Sequence, residues 1–432
     1  MDKTIKIKEY DALVAGSENG KKLNGKYTTL TKENFEKLEE FVLNLHSNSA
    51  DAIEVMSISA KRGVGKAIIA KNYVGIISFN NITIEILPKI YSSSSDDEEK
   101  KVKNLLVRML RTHYKIKNIN LQSSNLDTAN MPLLELFIRM FVDEVSTITR
   151  RGIRSNYETL EENANFFKGK LIFSQHIRKN FAHKERNFVA FDAFTVNRPE
   201  NRILKTALQY LYKRSSNSRT KRDIRYQLSI FDEVETCTDI DADFAKITAD
   251  RNTKDYSTAL TWANIFLKGK SFSTFTGQEI ALALLFPMDK LFESYIASIM
   301  KNDPALANFN ITSQIRSKHL FDTPERFLLK PDIAAKNTAT RQLYLYDTKW
   351  KIITEDKHIS QADMYQMYAY HKKYNPECVT LLYPKSDNTS AVTKRFASLD
   401  NVIVNVRFID MFSAEDEIHK IAEDIMLSSA NP

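Results

Sequence analysis

FLLKPDIAAKNTATRQLYLYDTKWKII, residues Phe327–Ile353, is the stretch that decides the fold of the C-terminal part of this chain. A mostly apolar run from Phe327 to Ala335 is followed by a polar cluster from Lys336 to Thr340. An apolar and aromatic run from Leu343 to Ile353 comes next. Two such runs around a short polar cluster predict a β-hairpin.

The predicted hairpin brings acidic and basic side chains together. If its turn is centred on Ala339 and Thr340, Asp332 lies opposite Asp347. Asp347 and Lys349 are two positions apart, so both side chains lie on one face of the second strand. The hairpin therefore gathers Asp332, Asp347 and Lys349 in a small volume.

This gathering of charge is costly in a strand that the sequence predicts to be buried. Like charges opposite each other destabilise a sheet, and two buried carboxylates need a cation. Mg²⁺ fits, since it binds one or two carboxylates and keeps waters for a phosphate substrate. A lysine beside it can hold a phosphate and orient or activate the attacking water. The alternative is an ordinary ion pair between Asp347 and Lys349. The neighbours that indicate burial on both faces are Tyr344, Leu345, Tyr346 and Trp350.

Composition sets the class of protein. The 432 residues are 43% hydrophobic and 27% charged, a balance typical of globular proteins, and the net charge of +8 is compatible with a nucleic-acid partner. Cys237 and Cys378 have no metal or redox spacing, which favours a reducing cytosol. The first residues resemble no signal peptide, and no apolar run reaches the roughly 18 residues of a membrane span. We therefore expect a cytoplasmic protein without membrane association.

Three segments are expected along the chain. Residues 1–95 are predicted to be β-rich, with a helix that opens at Thr31–Asn34 and a hairpin turn at Asn80–Asn81. The strand-like runs are Ala52–Ser59, Ala67–Phe79 and Ile82–Ile90. Within this segment, Arg62–Lys66 is interpreted as a basic loop. It is not a phosphate loop, because Ala60 and Ala67 stand where that motif needs a glycine and a Ser or Thr.

Residues 96–270 are predicted to be mainly helical and basic. Tyr91–Glu99 is expected to be a turn that becomes a helix start capped by Ser95, and Met131–Ile148 a buried helix. Basic residues alternate further on with Phe166, Phe167, Phe181 and Phe188. This pattern is compatible with a surface that tracks a DNA backbone, and equally with a solvated basic face over core phenylalanines.

Residues 271–432 are predicted to form an α/β layer of helix, hairpin, helix, strand, strand and helix. Glu293 lies at the edge of the buried face of the first helix, and is either a metal-shell residue or a surface glutamate. Ser360–Asp363 has the pattern of a capping box. Gln366 and Tyr370 share a face of the helix that follows and could bind phosphate or position the lysine. The alternative for this pair is core packing.

This order of elements, with Pro331-Asp332 and Asp347-Thr348-Lys349 on the hairpin, resembles a PD-(D/E)xK nuclease core. The whole chain resembles the McrC family, the nuclease subunits of the McrBC modification-dependent restriction systems. The stretches that carry the resemblance are Tyr73–Ile77, Ile84–Ile90, Gly152–Ile153 with Tyr157, Gly169–Lys170, Asn201–Lys205, Phe286–Met288, Leu291–Glu293, the hairpin itself and Asp363–Met367.

The resemblance implies a Mg²⁺-dependent DNA endonuclease that works with a McrB-like hexameric AAA+ GTPase and stimulates its GTP hydrolysis. The N-terminal part of such subunits inserts into the central pore of the GTPase ring. The expected substrate is double-stranded DNA with modified cytosine that the partner would recognise, and self-association through the nuclease domain is left open. Asp332 and Asp347 would bind metal with support from Glu293, Lys349 would serve the attacking water, and Gln366 and Tyr370 would position Lys349 or the phosphate.

Two other functions stay open from the sequence. The chain could act mainly as a regulator that activates a GTPase ring, with cleavage secondary or absent. It could also be a metal-independent DNA-binding scaffold, for which Mg²⁺ has no effect on DNA.

Overall fold

The chain folds into two compact units. The first comprises residues 1–117, 121–133 and 272–432, and the second comprises residues 118–120 and 134–271. The first unit continues past the predicted segment boundary at residue 95, and the second unit ends at residue 271, beside the predicted boundary at residue 270. The three segments remain predictions. The computed structural model describes residues 3–23, 27–48, 55–79, 82–90, 96–116, 131–247, 255–268, 282–387, 389 and 392–430.

The N-terminal part of the first unit is β-rich, as predicted. A five-stranded sheet has the strand order β3-β4-β2-β6-β5, and β1, β8 and β7 belong to a second sheet. The predicted run Ala67–Phe79 is divided between two strands, and Arg62–Lys66 lies at the β5–β6 turn. The Asn80–Asn81 turn and the Ser95 cap lie outside the described residues. The elements are β1 (Lys3–Lys8), β2 (Ala12–Gly16), β3 (Lys22–Leu23), β4 (Tyr27–Thr31), α1 (Lys32–Asn48), β5 (Met56–Lys61), β6 (Gly65–Ala70), β7 (Tyr73–Phe79), β8 (Ile82–Leu87) and α2 (Asp96–His113).

The middle of the chain is mainly helical, with one sheet that the sequence did not predict. Its three antiparallel strands have the order β10-β11-β9. The side chains of β9 are largely exposed, so this strand lacks the alternation of apolar and polar residues that marks a half-buried strand. The elements are α3 (Leu133–Arg150), β9 (Asn156–Ala164), β10 (Lys170–Leu171), α4 (Phe173–Lys179), β11 (Asn187–Thr195), α5 (Pro199–Arg214), α6 (Ser218–Ile230), α7 (Ile240–Ala245) and α8 (Ser257–Lys268).

The C-terminal part of the first unit contains the predicted α/β layer. Its six-stranded mixed sheet has the order β13-β16-β17-β18-β20-β19, whereas β12 completes the four-stranded sheet β1-β8-β7-β12. The elements are β12 (Leu282–Pro287), α9 (Met288–Asn302), β13 (Phe309–Ser313), β14 (Lys318–Asp322), β15 (Glu325–Leu329), β16 (Ile333–Asn337), β17 (Leu343–Thr348), α10 (Gln361–Tyr374), β18 (Cys378–Pro384), β19 (Lys394–Ala397), β20 (Ile403–Ile409) and α11 (Ala414–Ala430).

The prediction of one continuous strand from Phe327 to Ala335 is wrong. The run is divided between β15, which pairs with β14, and β16, which pairs with β13 and β17. Pro331 lies in the gap between them. Because proline has no N–H to donate to a ladder, it is a poor residue for the interior of a strand.

Gly75 shows why one of the quoted stretches needs a glycine. Its φ is +136°, and a Cβ at this position would lie 1.9 Å from the backbone oxygen of Leu284 on β12. Leu285 is the register partner of Gly75, so β12 and β7 can pair closely only if this position has no side chain.

We expect Gly75→Ala to destabilise the protein by about 3 kcal/mol or more, since it combines backbone strain with a backbone clash. The midpoint of thermal unfolding, followed by circular dichroism, measures this effect. Gly63→Ala is the matched control, because Gly63 also has a positive φ, +80°, but no atom lies within 4 Å of the added Cβ. Equal midpoints for the two variants would contradict the clash.

Candidate active site on the β16–β17 hairpin

The hairpin forms with the predicted register. Ile333 pairs with Tyr346 across antiparallel strands, which places Asp332 opposite Asp347 one step further along. The turn is closed by a hydrogen bond from the Asn337 N–H to the Gln342 backbone oxygen, 2.9 Å in length. The predicted turn is thus confirmed, and the two aspartates lie together at the opposite end of the hairpin.

Asp332 is attached directly to the second strand. One carboxylate oxygen, Oδ2, accepts hydrogen bonds from the backbone N–H and the hydroxyl of Thr348, each 2.7 Å long. Burial and then the negative charge of Glu293 raise the pKa of Asp332, while the bonds from Thr348 act in the opposite direction. The carboxylate is therefore held in position, although burial and Glu293 destabilise its charged form.

Asp347 and Lys349 form a close ion pair in which the Asp347 side chain is almost completely buried. Asp347 is 1% exposed, and Lys349 Nζ lies 2.6 Å from its Oδ2. That oxygen accepts no well-oriented hydrogen bond from the residues that the structure describes. Burial and repulsion by Asp332 raise the pKa of Asp347 to about 7 despite the lysine. Burial opposes the charged form of Lys349, but the Asp347 carboxylate outweighs it and raises the pKa of the ammonium.

Glu293 is buried, so the prediction of a surface glutamate is wrong, and its negative charge acts on Asp332. A role in a metal shell stays a prediction. Glu293 lies on α9, and its Oε1 accepts a hydrogen bond of 2.8 Å from Gln314 Nε2. Its other oxygen is 3.0 Å from Lys290 Nζ. The backbone N–H of Gln314 also donates to the Asp332 carbonyl at 2.7 Å. Gln314, which sequence reasoning missed, therefore connects Glu293 to the hairpin.

The Gln366–Tyr370 pair forms as expected from its spacing. Gln366 Nε2 donates to the Tyr370 hydroxyl at 2.6 Å. Tyr370 is buried in the hydrophobic cluster that also contains Leu345, on the face of β17 that carries Asp347. Burial and the charge of Asp347 raise the pKa of the Tyr370 hydroxyl, so it remains a neutral donor. A direct role for either residue at a phosphate stays a prediction.

A second carboxylate–lysine pair borders the site and was not predicted. Lys351 Nζ contacts both carboxylate oxygens of Asp363, at 2.9 and 2.7 Å, and the Tyr383 hydroxyl donates to the same carboxylate at 2.9 Å. Ser360 Oγ accepts from the Asp363 N–H, which confirms half of the capping box. The sequence signal for this second pair is the position of Lys351, which lies two residues after Lys349.

The donor set of the hairpin suits a hard cation better than a transition metal. Among the described residues, no group of three or more His, Cys, Asp and Glu side chains could hold a metal ion. Mg²⁺ needs fewer protein ligands, since one or two carboxylates suffice when waters and substrate phosphates complete its octahedron. Asp332 and Asp347, with the buried Oδ2 of Asp347, fit this requirement.

Asp347 should destabilise the metal-free protein at neutral pH. The pKa of its carboxyl is about 7 in the folded protein, against an ordinary value of 3.8, so between these pH values the folded state holds a proton that the unfolded state has lost. Stability therefore falls as pH rises through this window. In EDTA at pH 8, we expect Asp347→Asn to be more stable than wild type by about 2 kcal/mol, since loss of the Lys349 pair offsets part of the gain.

Chemical denaturation at pH 5 and pH 8 measures this difference. The advantage of Asp347→Asn should be larger at pH 8 than at pH 5. Asp322→Asn is the control, because Asp322 is an exposed aspartate of the same unit. An asparagine variant that is less stable than wild type at pH 8 would show that the buried carboxylate is not under strain.

A second surface combines basic and aromatic side chains around β9–β11 and α4. Phe166, Phe167 and Phe181 are exposed, whereas Phe188 is buried. The core interpretation of these phenylalanines therefore holds only for Phe188. Lys168 Nζ lies 5.4 Å from the centre of the Phe166 ring. The prediction that this surface tracks a DNA backbone remains untested.

The fold and the site together define a mixed α/β protein that carries two facing aspartates and a lysine at the open end of a hairpin in its six-stranded sheet. The chain belongs to the family described as "McrBC 5-methylcytosine restriction system component", whose model matches residues 68–384. The resemblance to McrC seen in the sequence is thereby confirmed. No curated protein matches the chain. Within the part of the chain that is described, no helix is long and apolar enough to cross a membrane.

Solved structures with a similar fold include two from McrBC complexes. One is the refined half-complex from the tetradecameric assembly of Thermococcus gammatolerans McrB AAA+ hexamers with bound McrC. The likeness has a TM-score of 0.71 at 17% identity and covers 98% of this chain and 100% of that chain. The other is the cryo-EM structure of the Thermococcus gammatolerans McrBC complex, with a TM-score of 0.51 at 19% identity over 71% of this chain and 89% of that chain. At these identities the likeness concerns the fold.

Proposed function

We propose that this chain is the Mg²⁺-dependent DNA endonuclease subunit of a McrBC-like restriction system. The observation that carries the proposal is the hairpin geometry, in which Asp332 lies opposite Asp347 and the Lys349 ammonium is 2.6 Å from the Asp347 carboxylate. An ordinary structural ion pair needs one carboxylate and does not explain the second, which raises the pKa of the first.

Asp332 and Asp347 would hold the cation. When bound, Mg²⁺ supplies positive charge to a scissile phosphate and lowers the pKa of water. Glu293 is held beside this pair by Gln314 and Lys290, so its negative charge supports cation binding from the α9 side.

Lys349 is an ammonium at neutral pH, because the carboxylate beside it raises its pKa. In this state it donates hydrogen bonds and cannot accept a proton from water. It would hold the phosphate or orient the attacking water, and it would not be the general base. Tyr370 remains protonated as well. Together with Gln366, it would help to position Lys349 or the phosphate.

The partner is the second part of the proposal. The solved assembly of similar fold contains McrB AAA+ hexamers with bound McrC. We propose that this chain likewise docks on a McrB-like hexamer, stimulates its GTP hydrolysis and receives double-stranded DNA whose modified cytosine the partner recognises. A regulator without cleavage is the second candidate, because the likeness covers 98% of the chain and not only the hairpin unit.

The test is cleavage of long methylated DNA by the full chain together with the AAA+ protein of the neighbouring gene, GTP and Mg²⁺. Cleavage that requires all of these components supports the nuclease. Omission of Mg²⁺ with EDTA present, and unmethylated DNA of the same sequence, are the controls. Faster GTP hydrolysis without any cleavage would favour the regulator, and cleavage unaffected by EDTA would contradict the metal.

A further inference from the structure

Glu9 is a buried acid far from the hairpin in sequence but in contact with it. It follows β1, is 3% exposed, and accepts hydrogen bonds from the Trp350 indole N–H at 3.1 and 3.0 Å. The backbone N–H of Lys89 also donates to this carboxylate, at 3.1 Å. A buried carboxylate is tolerated only where such donors replace its water.

Lys89 contacts the backbone of the same tryptophan. Its Nζ donates to the Trp350 backbone oxygen at 3.2 Å and lies 3.9 Å from Glu9 Oε1. The ammonium also lies over the Tyr10 ring, 4.2 Å from its centre. Trp350 is therefore held at both its side chain and its backbone by one ion pair from the N-terminal part of the chain.

Trp350 directly follows Lys349, so the contacts that hold Trp350 also restrict the position of Lys349. The backbone N–H of Lys349 donates to the Leu382 oxygen at 2.9 Å, which holds the lysine on its N-terminal side. On its C-terminal side β17 has ended, and the backbone is held by a hydrogen bond of 2.8 Å from the Lys351 N–H to the Lys349 oxygen and by the Trp350 carbonyl contact with Lys89. The Trp350 ring also packs on Phe292, with 5.3 Å between ring centres, and Phe292 precedes Glu293.

We propose that Glu9 and Lys89 are positioning residues that fix the Lys349 ammonium and the Glu293 carboxylate through Trp350. This inference rests on the proposed nuclease function, since it assigns to the N-terminal part a role in the chemistry of the hairpin. The indole N–H and the carbonyl of Trp350 are the two points of contact. Misplacement of a catalytic group by about 1 Å can cost roughly 100-fold in rate, so a distant contact of this kind can control activity.

The experiment compares Glu9→Ala, Glu9→Gln and Trp350→Phe with wild type in single-turnover cleavage of methylated DNA. The full chain is assayed with its AAA+ partner, GTP and saturating Mg²⁺, at pH 8. This pH is above the value of about 7 to which burial raises the pKa of Glu9. Glu40→Ala is the matched control, because Glu40 is an exposed glutamate of α1 in the same part of the chain. Asp347→Ala reports separately on the proposed function.

We expect Glu9→Ala to lower the cleavage rate by about 10-fold to 100-fold and to leave the Mg²⁺ concentration for half-maximal rate unchanged. GTPase stimulation should stay within about twofold of wild type. Glu9→Gln should recover most of the rate, because its amide oxygen still accepts from the indole. Trp350→Phe should lower the rate about tenfold. In the Trp350→Phe protein, Glu9→Ala should have little further effect, since both substitutions remove the same contact between Glu9 and the indole N–H.

The outcomes separate the inference from the proposed function. If wild type cleaves and Asp347→Ala does not, but Glu9→Ala behaves like Glu40→Ala, only the inference is overturned. A parallel fall of thermal stability, GTPase stimulation and cleavage in both Glu9 variants would also overturn it, because the role would then be structural. Absence of cleavage by wild type overturns the proposed function and, with it, the inference.

Discussion

Asp347→Ala is expected to lower DNA cleavage by about 1,000-fold or more, because it removes one of the two carboxylates available to a cation. Stimulation of GTP hydrolysis should remain within about twofold of wild type. The protein should still fold, because burial and repulsion by Asp332 already destabilise the charged form of the side chain that this substitution removes. Cleavage and GTP hydrolysis are measured in the same reaction with the AAA+ partner.

Asp322→Ala is the matched control for this substitution, because Asp322 is exposed and contacts Lys373, away from the acidic pair. It should cleave DNA at the rate of wild type. Normal cleavage by Asp347→Ala would contradict the assignment of the site. Loss of both activities in a folded protein would mean that the hairpin and the GTPase-stimulating surface do not act independently.

Lys349→Met is expected to lower the rate of cleavage at saturating DNA by about 100-fold to 10,000-fold, with a smaller change in KM. Methionine keeps much of the aliphatic stem but cannot donate to a phosphate or a water. Lys349→Arg should recover part of the rate, because it restores the charge but not the compact ammonium. Single-turnover and steady-state kinetics at several DNA concentrations separate the two parameters.

The control for Lys349 lies on the same hairpin. Lys336 is exposed on β16, near the turn and away from Asp332, so Lys336→Met should cleave like wild type. A Lys349→Met protein with wild-type kinetics would show that the lysine is only a partner of Asp347. In that case the ion-pair interpretation of the hairpin would hold.

The local parts of the site could be predicted from the sequence. The register of a hairpin follows from its turn and from the two-residue period of a strand, so Asp332, Asp347 and Lys349 were brought together correctly. The Gln366–Tyr370 hydrogen bond follows in the same way from the period of a helix. Both predictions need only the spacing between residues that are close in the chain.

The parts that could not be predicted depend on backbone groups or on contacts between distant segments. The bonds from Thr348 to Asp332 include a backbone N–H, which no residue type reveals. The pairing of β12 with β7, and the contact of Glu9 with Trp350, join segments that lie far apart in the chain. No local period encodes such partners, although Gly75 signals that a second backbone comes close at its position.

The most direct measurement is the binding of Mn²⁺, as a paramagnetic substitute for Mg²⁺, to the full chain by electron paramagnetic resonance. We predict that wild type and Asp322→Asn bind Mn²⁺ alike, that added Mg²⁺ displaces it, and that Asp347→Asn loses this binding. Binding that is equal in wild type and Asp347→Asn would contradict a cation site between Asp332 and Asp347.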